Sequence, residues 1–114
     1  MVREFIRTHI FEKRWSEMDL TDEDLRKLEN FLLKNPNAGD VIQGTGGAVK
    51  LRWSLPGTSK SGGLRVIYID MIRVERVFLV TCYPKSQKDT LTAGDKATIK
   101  ETIKHIVKCE RIEQ

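Results

Sequence analysis

The chain has 114 residues, 39% hydrophobic and 32% charged, and its 20 Lys and Arg outnumber 16 Asp and Glu for a net charge of +4. This composition is typical of a globular protein, the length suits one domain over residues 1–114, and no apolar run approaches membrane-spanning length. The basic excess favours a polyanionic partner such as a nucleic acid.

The two cysteines, Cys82 and Cys109, have neither the spacing of a metal site nor the number that a disulfide framework uses in a short chain. We therefore expect two reduced thiols, and the sequence indicates no metal and no cofactor. The first residues carry an acid early and lack the apolar core of a signal peptide, so we expect a cytoplasmic protein.

The N-terminal third of the chain predicts a strand over residues 3–7 and then two helices. A second helix is expected to begin after Thr21, which pairs with Asp24 as a capping box. It should end at Asn35, because the residue before Pro36 avoids the helical region. The first helix is indicated by apolar residues at near-helical spacing: Ile10, Phe11, Trp15 and Met18.

Three strands are predicted next, over residues 48–55, 64–70 and 76–83. The second and third are apolar on both faces and should be central. Their connections are too short for helical crossovers, so they should pair antiparallel. A last helix should begin after Thr92 and run to about residue 109, and the whole order predicts an α+β domain.

The last helix also carries a stripe of basic residues, and such a stripe is more often a solvated face than a binding site. Its members are Lys96, Lys100, Lys104, Lys108 and Arg111. The sequence shows no common catalytic or nucleotide-binding motif. The histidines His9 and His105 fall in separate predicted helices, and no Lys-Ser/Thr follows the glycine-rich residues 44–47, as a nucleotide phosphate loop would need.

A group of cations stands out among the predicted strands and loops. Alternation along a strand places Lys50 and Arg52 on one face. Arginines hold phosphates and stabilise developing charge, and a lysine crowded by cations can act as a base. RNA brings its own nucleophile, so an RNA site and a solvated basic face stay equally open on the residues alone. The group comprises Lys50, Arg52, Lys60, Arg65, Lys85 and Lys88.

Three ordered motifs make the chain similar to a known family. They are NPNAGDVIQGTGG at residues 35–47, GGLRVIY at 62–68, and YPKSQKDTLT at 83–92 before the last helix. Together they resemble the RelE/HigB-like toxins of bacterial type II toxin–antitoxin modules, and the first two look most like the HigB branch. The resemblance covers nearly the whole chain.

The resemblance implies a small antiparallel sheet flanked by two N-terminal helices and one C-terminal helix. It implies a metal-independent endoribonuclease, an mRNA interferase that enters the ribosomal A site and cuts translated messenger RNA. It also implies a cognate antitoxin, usually a helix-turn-helix protein of the HigA type in the HigB branch. No membrane partner is implied.

Matching positions assign roles to the cations. Lys50 and Arg52 would hold the RNA backbone or supply the base, and Arg65 would stabilise the scissile phosphate. Lys85 would help to protonate the leaving group. Lys60, Lys88 and Tyr83 would bind RNA.

One departure concerns the tyrosine that better-studied relatives place near the start of the last helix, where Leu91 and Thr92 stand here. Tyr83 or Trp53 replaces it only if its ring reaches the cationic face, and alternation puts Trp53 on the apolar side. Mid-strand Tyr68 should pack in the core.

Three other functions stay open: a ParE-type toxin of the same fold that acts on DNA gyrase, an RNA-binding module without cleavage, and a decayed toxin.

Overall fold

A computed structural model describes residues 3–54, 63–87 and 90–113. Its elements in chain order are β1 Glu4–Arg7, α1 His9–Glu17, α2 Asp22–Lys34, β2 Asp40–Val41, β3 Val49–Trp53, β4 Leu64–Met71, a 3₁₀ turn at Ile72–Val74, β5 Arg76–Pro84 and α3 Ala93–Glu113. The predicted α+β class is confirmed. The last helix runs four residues beyond its expected end, and the short strand β2 was not predicted.

The five strands form one sheet in the order β1-β5-β4-β3-β2. The predicted antiparallel pairing of β3, β4 and β5 is confirmed. The edge strand β1 instead pairs parallel with β5, from Glu4 opposite Arg76 to Arg7 opposite Leu79. Helices α1 and α2 connect β1 to the rest of the sheet, which gives the length that a parallel connection needs.

Helices α1 and α2 cover one face of the sheet. Thr8 caps α1 by accepting a hydrogen bond from the Phe11 amide, and Thr21 and Asp24 form the predicted capping box in both directions. Burial of the apolar helix faces against the strands stabilises this layer. Its core includes Phe11, Trp15, Leu25, Leu28, Leu32, Leu51, Val66, Tyr68 and Leu79.

Helix α3 covers the other face with a second apolar cluster, in which Ile99, Ile103 and Ile106 meet Ile67, Ile69, Phe78 and Val80. The helix begins at a reciprocal cap between Thr92 and Asp95. Near its end, Arg76 of β5 donates to both carboxylate oxygens of Glu110, at 2.9 and 2.7 Å, and also to Glu4 of β1. These contacts fix α3 across the sheet.

A bulge in β5 changes which side chains reach the α3 face. Ile67 pairs with Thr81 and Tyr68 with Leu79, so one residue of β5 is left without a partner. Each residue added by a bulge reverses the alternation beyond it. As a result Cys82 joins the α1/α2 core together with Leu79, and Tyr83 lies on the α3 side.

Candidate functional site

Two arginines and a tyrosine lie side by side across three strands. Arg52 of β3 is the direct partner of Arg65 of β4, and Arg65 is the partner of Tyr83 of β5. All three belong to the α3 side of the sheet, because Tyr83 packs in the α3 cluster and direct partners share a face. We call Arg52, Arg65 and Tyr83 the cross-strand row. All three residues are among the candidates for RNA binding or cleavage that were predicted from the sequence.

The two arginines differ in their access to solvent. Arg52 is exposed, whereas Arg65 exposes only 4% of its surface. A guanidinium is permanently charged and presents a fork of donors that matches a phosphate. The row therefore offers one arginine at the surface and one beneath it.

Lys50 lies two residue pairs from the row, opposite Ile67, and is half-buried. Gly39 packs against the backbone of Lys50. A Cβ on Gly39 would lie 2.5 Å from the Lys50 carbonyl oxygen and 2.5 Å from a Val49 methyl, closer than real Cβ atoms approach. Glycine at position 39 thus lets the chain before β2 pack against β3 where Lys50 stands.

Lys85 is exposed just after β5, and its backbone amide donates to the Gly63 carbonyl oxygen at 3.0 Å. Gly63 leads into β4 two residues before Arg65, so this bond holds the loop after β5 beside the row. Lys60 and Lys88 lie outside the described residues. The structure therefore brings Lys50, Arg52 and Arg65 to one end of the sheet and places the Lys85 backbone beside them.

The aromatic residues divide between the two faces. Trp53 packs against Phe31 of α2 with ring centroids 5.1 Å apart, and Tyr68 is buried with its hydroxyl donating to the Pro36 carbonyl. Burial raises the pKa of Tyr68. The core roles predicted for Trp53 and Tyr68 are confirmed. Tyr83 lies on the cationic side but exposes 3% of its surface, so little of its ring is open for a base to stack on.

Neither cysteine belongs to the row. Cys82 is buried in the α1/α2 core, and burial raises the pKa of its thiol to about 12. On α3, the Cys109 sulfur lies 3.6 Å from the His105 Nε2 atom, and both residues are exposed. Across residues 3–54, 63–87 and 90–113, His, Cys, Asp and Glu side chains form no cluster of three that could hold a metal ion.

A family model described as the RelE toxin of the RelE/RelB toxin–antitoxin system matches residues 3–113. The chain belongs to the RelE toxin family. Among solved structures it is similar to the toxin RelE of E. coli, an arginine-to-alanine double mutant in the free state, at 19% identity and a TM-score of 0.56. The match covers 78% of this chain and 90% of that one. At this identity the likeness shows the fold alone.

Family membership makes the chain a toxin of a toxin–antitoxin system, with an antitoxin as its partner. The HigB branch stays a prediction. In the described part of this RelE-family chain, no helix has both the length and the apolar character needed to cross a membrane.

The structural role of Gly39 was not predicted from the sequence, where this residue is only part of a motif. Its missing side chain sets how closely the segment before β2 approaches Lys50. Its position just before an Asp-Val pair that forms the edge strand β2 was the available signal.

Proposed function

We propose that this RelE-family protein is a ribosome-dependent endoribonuclease that cleaves messenger RNA during translation in the cytoplasm and so inhibits growth. The observation that supports the proposal most directly is the pairing of Arg52 with Arg65, with Lys50 two residue pairs along the ladder on the same face. Cations that follow neighbouring strands suit the phosphate backbone of a single RNA strand.

In the proposed reaction the 2′-oxygen of one nucleotide attacks the adjacent phosphorus, and the bond from that phosphorus to the next 5′-oxygen breaks. The products are a 2′,3′-cyclic phosphate and a 5′-hydroxyl, so the enzyme supplies no nucleophile. Negative charge grows on the phosphate oxygens in the transition state. Arg65 is the proposed donor to these oxygens, because groups already aimed at developing charge contribute strongly to catalysis.

Two protons must move in this reaction. Lys50, half-buried on the same face as the cross-strand row, is the proposed acceptor of the 2′-hydroxyl proton. Lys85, whose loop is tied to Gly63, is the proposed donor to the departing 5′-oxygen. Arg52 would hold the backbone. Because the substrate supplies the nucleophile and arginines stabilise the negative charge of the transition state, we propose that no metal is required.

The other assignments complete the proposal. Lys60 and Lys88 would hold the RNA strand beside the cleavage point, and Tyr83, with 3% of its surface exposed, would contact the RNA only through the small part of its ring that it leaves open. The motifs at residues 40–47 and 62–68 favour the HigB branch and hence a helix-turn-helix antitoxin of the HigA type.

Translation of a defined messenger RNA by purified ribosomes, followed by primer extension, tests the proposal. Cuts should appear only in translated message and should persist in EDTA concentrations that ribosomes tolerate. Arg65→Ala should lower the rate of cleavage by about 100-fold or more, as loss of one charge-stabilising donor does. Arg52→Ala should also lower the rate, because it removes a contact to the RNA backbone. Arg73→Ala, which changes an exposed arginine of the 3₁₀ turn, is the matched control.

Circular dichroism of each variant separates loss of the site from loss of the fold, which matters most for the buried Arg65. Full cleavage by a folded Arg65→Ala variant would remove the central site assignment. Arrest of translation with intact RNA would instead identify a non-cleaving RNA-binding module. No effect on translation would direct attention to gyrase or to a decayed toxin.

A further inference from the structure

A second basic surface lies away from the cross-strand row. It is a groove of about 570 Å³ between α3 and the turn that precedes β3. We call it the lysine groove, and it is lined by Thr45, Gly46, Lys100, Ile103, Lys104, Val107 and Lys108.

The turn that forms one wall of the groove is held firmly in place. Thr45 is fully buried, and its hydroxyl donates to the Ile42 carbonyl at 2.7 Å and accepts from the Ala48 amide at 3.2 Å. Gly46 has a φ of +84°, which favours glycine. A Cβ at position 46 would lie 3.6 Å from an Ile103 methyl, so its absence leaves the floor of the groove open.

The opposite wall is a ladder of three exposed lysines on α3. Lys100, Lys104 and Lys108 are each four residues apart, about 6 Å along the helix axis. Between them, Ile103 and the half-buried Val107 form an apolar floor. Glu101 lies 3.6 Å from the Lys104 nitrogen, in a pair exposed enough to contribute little.

The combination of three lysines with an apolar floor distinguishes two possible ligands of the groove, an RNA strand and a protein helix. An RNA backbone would use the three cations but would gain nothing from an apolar floor. A protein helix with acidic residues on both sides of an apolar stripe would use both, because carboxylates every three or four residues match the lysine spacing. Charge complementarity and the floor therefore favour an acidic amphipathic protein segment.

We propose that the lysine groove binds an acidic amphipathic helix of the cognate antitoxin. The proposal rests on membership of the toxin family and not on the proposed nuclease activity. The turn that lines the groove ends before β3 begins at Val49, and Arg52 is the fourth residue of that strand. Neither Arg52 nor Arg65 lines the groove, so the proposed antitoxin site is distinct from the cross-strand row.

The test uses the full chain and the purified protein encoded next to it as antitoxin, with the Kd measured by isothermal titration calorimetry. Reversing three charges, K100E/K104E/K108E, should weaken binding at least about tenfold and reduce its dependence on salt. The matched control K13E/K27E/K34E changes three exposed lysines of α1 and α2 by the same total charge. It should bind nearly as tightly as the unaltered protein.

Val107→Thr tests the apolar floor, because it keeps the side-chain shape and replaces a methyl group with a hydroxyl. We expect binding about three- to tenfold weaker with an unchanged salt dependence, in line with loss of a buried methyl contact. Full affinity of Val107→Thr would overturn the groove as the site.

Equal affinities of the two triple variants would also overturn the proposal. The proposal would also be overturned if K100E/K104E/K108E bound the antitoxin with unchanged affinity but no longer bound a 12-nucleotide single-stranded RNA. The three lysines would then form an RNA-binding surface. All these readouts measure binding, so the absence of messenger RNA cleavage would refute the proposed function and leave this inference standing.

Discussion

Arg52 and Arg65 are direct partners across the β3–β4 ladder. Side chains at such positions have Cβ atoms about 5 Å apart, and like charges placed there destabilise a sheet. One of the two is almost fully buried, which limits the screening of its charge by water. An anion bound over the pair would be attracted by both charges.

Arg52→Gln should therefore stabilise the free protein while weakening its function. We expect a gain of about 0.2–1 kcal/mol in the free energy of unfolding at low salt, the usual size of a cross-strand pair. Urea denaturation at 20 mM and 300 mM salt measures it, and the gain should shrink at the higher salt. Arg73→Gln provides the comparison, because its side chain is exposed in the turn between β4 and β5. A loss of stability in Arg52→Gln would contradict the repulsion.

Gly39→Ala should disturb the strand that carries Lys50. The added Cβ would meet backbone atoms of Lys50, which cannot move aside as a flexible side chain can. We expect a loss of about 1–3 kcal/mol in the free energy of unfolding, typical of overpacking, together with a lower rate of RNA cleavage.

Gly94→Ala is the matched control, because its Cβ would have only an ordinary contact, 3.7 Å from the Thr92 hydroxyl oxygen. Position 94 lies in the first turn of α3, where alanine is a better helix former than glycine. This variant should be neutral or slightly stabilised in urea. If the two alanines behaved alike, close packing at position 39 would not be the cause.

Local patterns in the sequence predicted the elements well, and the reasons are visible in the structure. The capping box of Thr21 and Asp24 forms as expected, and the cap at Thr92 begins α3. Alternation along β3 correctly placed Lys50 and Arg52 on one face of the sheet and Trp53 on the other, because no irregularity interrupts that strand. These features depend on residues a few positions apart.

Relations between distant segments were harder to predict. No local signal shows that β1 pairs parallel with β5, since the partner strand is about 70 residues away. The register between β4 and β5, which sets Arg65 opposite Tyr83, could not be fixed because residues 71–75 contain no Gly, Asn or Pro to mark the turn. Strict alternation from Leu79 would also have placed Tyr83 on the α1/α2 face, and only the bulge in β5 moves it beside Arg65.

The two thiols should differ strongly in reactivity. Cys82 is buried and its pKa of about 12 leaves almost no thiolate at pH 8, whereas Cys109 is exposed on α3. Ellman's reagent at pH 8 should therefore react at once with one thiol per folded chain and with the second only after unfolding in guanidinium. In Cys109→Ser the fast reaction should disappear. Rapid reaction of both thiols would show that the α1/α2 core opens readily.

RNA affinity should fall with salt in proportion to the phosphates that the protein neutralises. For a single strand the slope of log K against log salt is about −0.7 per phosphate. Fluorescence anisotropy with a 12-nucleotide unstructured RNA between 50 and 200 mM salt measures this slope. Arg52→Ala should make it shallower by about 0.7, because an exposed guanidinium of the cross-strand row is lost. Arg73→Ala should leave it unchanged, and an equal change in both variants would mean that RNA responds to net charge and not to the row.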